Sequence, residues 1–175
     1  MYNISKQNEE RTLKNLLTAV TVALFTTSAA YAEHCDAKEQ INALALNMYH
    51  EARGEGADAM QLVGEVTLNR VESKHFPDDI CSVVYQARYD SRGNPLRHQC
   101  QFSWYCDGRS DKARDKRLWE LSVEIATGLV EESIDRLGTQ ATHYHADWVN
   151  PSWSEKYEVV GYYGNHIFYY MGDRL

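Results

Sequence analysis

The stretch DAKEQINALALNMYHEARGE, residues 36–55, decides the fold. Ile41, Leu44, Ala45, Met48 and Ala52 recur at helical spacing and Gly54 supplies a stop, so a helix is expected from Asp36 to about Ala52. Glu51 stands seven residues beyond Leu44, nearly two turns, which puts its carboxyl on the edge of the apolar stripe, between core and solvent. A second helix is expected from about Ala57 to Val71. Ala59, Leu62, Val63, Val66 and Arg70 share one face, and Asp58 suits the positive N-terminal end. The Gly54–Gly56 turn folds this second helix back on the first.

Working outward, Phe76-Pro77-Asp78 reads as a turn, and Asp79 can cap a short helix through Ile80, Val83 and Val84. Arg88 to Ser110 mixes Gly93, Asn94, Pro95, Gly108, two cysteines and four aromatic residues without periodicity, so it is expected to be a long loop; such loops in small domains tend to be functional. A third major helix is expected from Asp111 to about Glu131, on the stripe Leu118, Leu121, Ser122, Ile125, Ala126 and Leu129. After it, Thr142–Ala146, Tyr157–Val160 and Ile167–Tyr170 are short and rich in aromatic and β-branched residues, which predicts a minor antiparallel sheet. The expected class is therefore α+β, mainly helical, with the sheet in the C-terminal third.

The N-terminal 32 residues read as an export signal. Arg11 and Lys14 precede an apolar stretch from Leu16 to Phe25, and Ala30-Tyr31-Ala32 forms a small-residue exit, so cleavage is expected after Ala32. The stretch is short for a spanning helix, and no stable membrane anchor is expected after cleavage. The mature portion, residues 33–175, is sized for one domain and is expected to be a monomer in the periplasm or secreted. Its 15 basic and 23 acidic residues give a formal charge of −8, which argues against a nucleic-acid partner. Cys35, Cys81, Cys100 and Cys106 all lie beyond the signal, as expected of disulfides in an oxidising compartment. Three connectivities are possible; Cys100–Cys106 across a short loop and Cys35–Cys81 are favoured.

Chemistry concentrates at His50-Glu51-Ala52-Arg53-Gly54-Glu55. A zinc peptidase helix would place a second histidine at position 54, where glycine stands. A metal-dependent amidase or peptidase could instead draw on His143, His145 and His166 with Glu51 or Glu55, although that spacing matches no recognised zinc pattern. No cofactor or metal is expected. Glycosidic cleavage suits Glu51 better: a carboxyl half-buried against apolar groups keeps a raised pKa and stays protonated to serve a leaving oxygen. The unsatisfied carbonyls of a helix C-terminus act in the same direction. Sugar-binding character comes from Trp104, Tyr105, Tyr144, Trp148, Trp153, Tyr162 and Tyr163, interleaved with Gln101, His145, Asp147 and Asn150, because flat rings beside polar groups suit a pyranose. A non-catalytic glycan-binding module would need no more than these rings.

The segments EARGE (51–55), VGEVTLNRV (63–71), FPDDI (76–80), VVYQ (83–86), QFSW (101–104), THYH (142–145), PSW (151–153) and GNHIF (164–168) occur in an order and spacing that resemble the SleB/CwlJ-type cell wall hydrolases. The resemblance implies a lysozyme-like, lytic-transglycosylase fold acting on peptidoglycan glycan strands. It implies that Glu51, first of the EARGE run, is the catalytic acid/base, cleaving between N-acetylmuramic acid and N-acetylglucosamine with closure of a 1,6-anhydro ring. Glu55 is then a second carboxylate or, with Arg70 as partner, a structural support. Gln101, Ser103, Trp104, His143, Tyr144, His145, Trp153 and His166 are the expected substrate contacts. The cysteines and the insertion around Asp90–Cys100 set the chain apart from the spore enzymes, and point to a periplasmic remodelling enzyme or a phage lysis enzyme.

Overall fold

A capping box starts the first helix: Asp36 Oδ1 accepts from Glu39 N at 2.8 Å, and Glu39 Oε2 accepts from Asp36 N at 3.0 Å. The computed structural model describes residues 35–172, so the export segment expected over residues 1–32 lies outside the described residues. No helix among them is long and apolar enough to cross a membrane. Helix α1 runs Ala37–Ala52 and buries Ala43, Leu44, Ala45, Met48 and Ala52. Helix α2, Ala57–Val71, begins after Gly56, whose φ of 95° makes the tight reversal that a side chain would resist. A short helix α3, Ile80–Val84, is capped by Asp79, whose Oδ1 accepts from Ser82 N at 2.9 Å. Helix α4 spans Lys116–Val130 and packs against both α1 and α2.

Close approach of these helices depends on Gly64. A Cβ there would lie 2.7 Å from Leu129 Cδ1 and 2.8 Å from Met48 Sδ, so α1 and α4 both press on the bare backbone of α2. Gly64→Ala is expected to destabilise the protein by about 1–3 kcal/mol through overpacking, despite alanine's better helix propensity. Urea unfolding checks this: a midpoint at or above that of the parent protein removes the close-packing account.

Two expectations are corrected. The stretch from Arg88 to Ser110 is not a structureless loop: strand β1, Ala87–Tyr89, pairs antiparallel with β2, Pro95–Cys100, and a 3₁₀ turn comes next at Ser103–Cys106. Asp90 makes the reversal, its Oδ1 accepting from Arg92 N and Asn94 N while Gly93 takes φ 80°. The hairpin is mostly exposed, so its strands carry no buried alternation to be read. The last helix starts at Lys116 rather than Asp111, because Asp115 is its cap through Leu118 N at 3.0 Å. Residues 111–115 instead run outside the helix, and Tyr49 Oη accepts from both Arg114 N and Asp115 N at 3.0 Å.

Strands β3 (His143–Ala146), β4 (Glu158–Tyr163) and β5 (His166–Tyr170) form an antiparallel sheet in the order β3-β5-β4. The sheet contacts α2 through a small cluster of Val66, Ala141 and Phe168. The mixed helical and sheet class is thus the one the sequence predicts. Of the possible cysteine pairings, the structure carries Cys35–Cys81 and Cys100–Cys106, separated by 46 and 6 residues. On loop entropy alone the first constrains the unfolded chain by about 4 kcal/mol and the second by about 2 kcal/mol.

The polar face of α2 leads the chain into β3. Glu65, wholly buried, accepts from the backbone N–H groups of Leu137, Gly138 and Thr139 and from Gln61 Nε2. One turn on, Asn69 Nδ2 donates to Thr139 O at 2.8 Å and Ala141 O at 2.9 Å, and Arg70 Nε donates to Thr142 O at 2.7 Å. Three consecutive helix turns therefore hold residues 137–142, and with them the start of β3, against α2.

Candidate active site

Glu51 lies in the last turn of α1, and its Oε2 accepts from Tyr144 Oη of β3 at 3.0 Å. Alternation along β3 sends Tyr144 to one face, toward Glu51, while His143 and His145 both meet Trp153, at 5.3 and 5.5 Å between ring centroids. Burial raises the Glu51 pKa; the Tyr144 hydrogen bond and the positive charges of His166, Arg70 and His50 work against that rise without cancelling it. Burial beside Glu51 also pushes the Tyr144 phenol well up, so it remains an O–H donor.

Arg70 is buried next to this pair. Its guanidinium sits 5.3 Å from the Phe76 ring and 5.1 Å from that of Phe102, and burial lowers its pKa to about 10. Nε is satisfied by Thr142 O, but Nη1 is buried with no hydrogen-bond partner among the described residues. Burial and the Arg70 charge push the His143 imidazole down to about 4, so it is neutral at physiological pH.

Glu51 and Ser103 stand where two arms of a cleft meet. The smaller arm, about 240 Å³, is walled by Arg70, Gln101, Phe102, His143, Tyr144 and Trp153. The larger, about 670 Å³, lies within the range usual for ligand sites and has Tyr49, His50 and Trp104 on its floor, with Arg53, Arg109, Lys112 and Arg114 around it.

Not every expected contact faces the cleft. Trp104 is buried, stacked on His50 at 4.8 Å, with Nε1 donating to Asn47 Oδ1 at 3.0 Å; Asn47 in turn donates to Thr67 Oγ1. Its ring is part of the core and only borders the larger arm. Trp148 and Tyr162 are 73% and 74% exposed and line neither arm. His145 has both ring nitrogens engaged, by Ala146 O and Tyr169 Oη at 2.8 Å. His166 Nδ1 meets Glu55 Oε2 at 3.1 Å, which makes His166 rather than Arg70 the partner of Glu55. Glu55 also accepts from Asn165 N, fixing the turn between β4 and β5. The histidines thus have partners other than one another, and among the described residues no three His, Cys, Asp or Glu side chains are grouped to hold a metal ion.

Sequence reasoning missed the cations of the larger arm. The signal was available: residues 107–117 hold five basic and three acidic residues in an otherwise acidic chain.

The model of the cell wall hydrolase family matches residues 54–169. The chain belongs to this family. It is a cell wall hydrolase in which the match begins three residues after Glu51 and takes in the α2 latch, Arg70 and the sheet. Two solved structures share its fold. The catalytic domain of the Bacillus cereus SleB protein is 24% identical, with a TM-score of 0.52, over 74% of this chain and 88% of the other. The catalytic domain of the germination-specific lytic transglycosylase SleB of Bacillus anthracis is also 24% identical, with a TM-score of 0.54, over 74% of this chain and 93% of the other. No curated protein matches this cell wall hydrolase.

Proposed function

We propose that this cell wall hydrolase is exported and cleaves peptidoglycan glycan strands between N-acetylmuramic acid and N-acetylglucosamine as a lytic transglycosylase, with Glu51 as general acid and then base. The observation that carries this reading is a carboxyl at the junction of two cleft arms whose pKa burial raises. Tyr144 occupies Oε2, so the proton sits on Oε1. Glu51 gives that proton to the bridging oxygen as the muramic C1–O bond breaks. The carboxylate then takes the proton of the muramic C6 hydroxyl as O6 closes on C1, which regenerates the acid and consumes no water.

Glu51 is the one acidic side chain of the smaller arm among the described residues, the other carboxylates of the cleft, Asp107, Asp111 and Asp115, line the larger arm, and Glu55 is committed to His166 and Asn165. Hydrolysis would need a second carboxylate as nucleophile or as base for a water. Arg70 lines the same arm and sets a positive charge beside Glu51, its Nη1 buried without a hydrogen-bond partner among the described residues. Trp153 offers a ring for the apolar face of a sugar.

Mass spectrometry of muropeptides released by the purified protein tests the reading. Expected are 1,6-anhydromuramic ends, lighter by one water than reducing ends. Reducing ends, or free stem peptides from uncut glycan, overturn it. The rate should fall as pH rises through the raised pKa of Glu51, because the donating form is the protonated one; a rate still rising across that range would take the acid role away from Glu51.

A further inference from the structure

Four cationic side chains of the larger arm stand without an ion-pair partner among the described residues. Arg53, Arg109, Lys112 and Arg114 border it, all exposed, and none forms an ion pair among the described residues. Three aspartates, Asp107, Asp111 and Asp115, share the arm, and none of them forms an ion pair with these cations among the described residues. The cationic head groups of Arg109, Lys112 and Arg114 have no hydrogen-bond partners among the described residues, so they are free to meet a ligand. Their backbone is held in place, since Tyr49 accepts from Arg114 N and His50 Nε2 lies 2.9 Å from Asp111 O. An acidic protein that sets four unpaired cations among three aspartates in its reaction cleft offers a carboxylate direct contacts there.

We infer that this arm is a carboxylate-binding subsite that takes the acidic peptide stems carried by muramic acid, making stem-bearing strands the favoured substrate over stripped glycan. The inference rests on the proposed glycan cleavage at Glu51. Muramic acid alternates with N-acetylglucosamine, so a strand threaded past Glu51 places a stem at or beside the cationic arm whichever way it runs. Stems carry free carboxylates, which guanidinium groups bind in bidentate fashion. Stripped strands present the arm only with hydroxyl and acetamido groups.

Initial rates on intact strands and on the same strands freed of stems by an amidase test this, using the purified protein and the triple variant Arg109→Gln, Lys112→Gln, Arg114→Gln. Each exposed contact contributes a factor of about two, so the parent protein should favour stem-bearing strands about tenfold at low salt. The triple variant should bring that ratio to about one through a higher KM on stem-bearing strands. In the parent protein the preference should shrink as salt is added, a readout that stands even if the variant does not fold. Equal rates on both substrates, a preference for stripped strands, or a preference that salt and the triple substitution leave intact each overturn the subsite while sparing the glycan-cleaving reading. Absence of cleavage on either substrate overturns both.

Discussion

Glu51→Gln is expected to lower glycan cleavage by about a thousandfold or more while leaving the fold intact, because the variant removes the sole proton donor of the proposed mechanism. Glutamine keeps the volume of the side chain, and its carbonyl oxygen can still accept from Tyr144 Oη. The thermal midpoint should separate this from damage. A carboxyl whose pKa is raised in the folded state binds its proton more tightly there than in the unfolded chain. Its contribution to stability is therefore full at low pH and is lost as pH rises through the raised value. At neutral pH the glutamine variant should match or exceed the parent midpoint, with the difference vanishing in acid. A folded variant that still cuts strands at a tenth of the parent rate would end the assignment of Glu51.

The second large effect concerns a residue with no part in the chemistry. Glu65→Leu should destabilise the protein by about 3–5 kcal/mol, because three backbone N–H groups and the Gln61 amide would face a side chain with nothing to accept them. For a domain of this size that is a fall in midpoint of about 10–15 °C. The loss should come chiefly as an unlatching of residues 137–142, which set the start of β3 and so the position of Tyr144. Glu65→Gln retains one acceptor oxygen and should lose less. Hydrogen exchange at residues 137–139 distinguishes the latch from a general loosening: if those amides in Glu65→Gln are no less protected than in the parent, the carboxylate does not hold them.

The helices were legible because each carries its own local instructions. The apolar stripe of residues 41–52 and the Asp36/Glu39 cap lie within a few turns of one another, and periodicity sufficed. The start of α4 was less legible: Asp111 and Asp115 are both good caps, and the contacts that favour the second, Tyr49 with Arg114 N and Asp115 N and His50 with Asp111 O, span more than 60 residues. The hairpin after α3 escaped notice because exposed strands lack a buried face to mark them. At the site, Glu51 could be picked out from its place on a helix edge. Its hydrogen bond to Tyr144 spans 93 residues, and the bond of Glu55 to His166 spans 111; no local pattern encodes either. Trp104 shows the opposite difficulty. Its residue type suggested a sugar platform, yet the buried acceptor that holds its indole N–H is Asn47, a polar residue inside an apolar stripe.

The bare backbone at Gly64 also acts as a ruler. Met48, which touches it, is one turn before Glu51 on α1, and Gly64 itself is under two turns before Arg70 on α2. The interhelical gap thus calibrates how far the acid stands from the buried guanidinium of Arg70. A single methyl group at position 64, remote from any sugar, would widen that gauge and detune the carboxyl along with the fold.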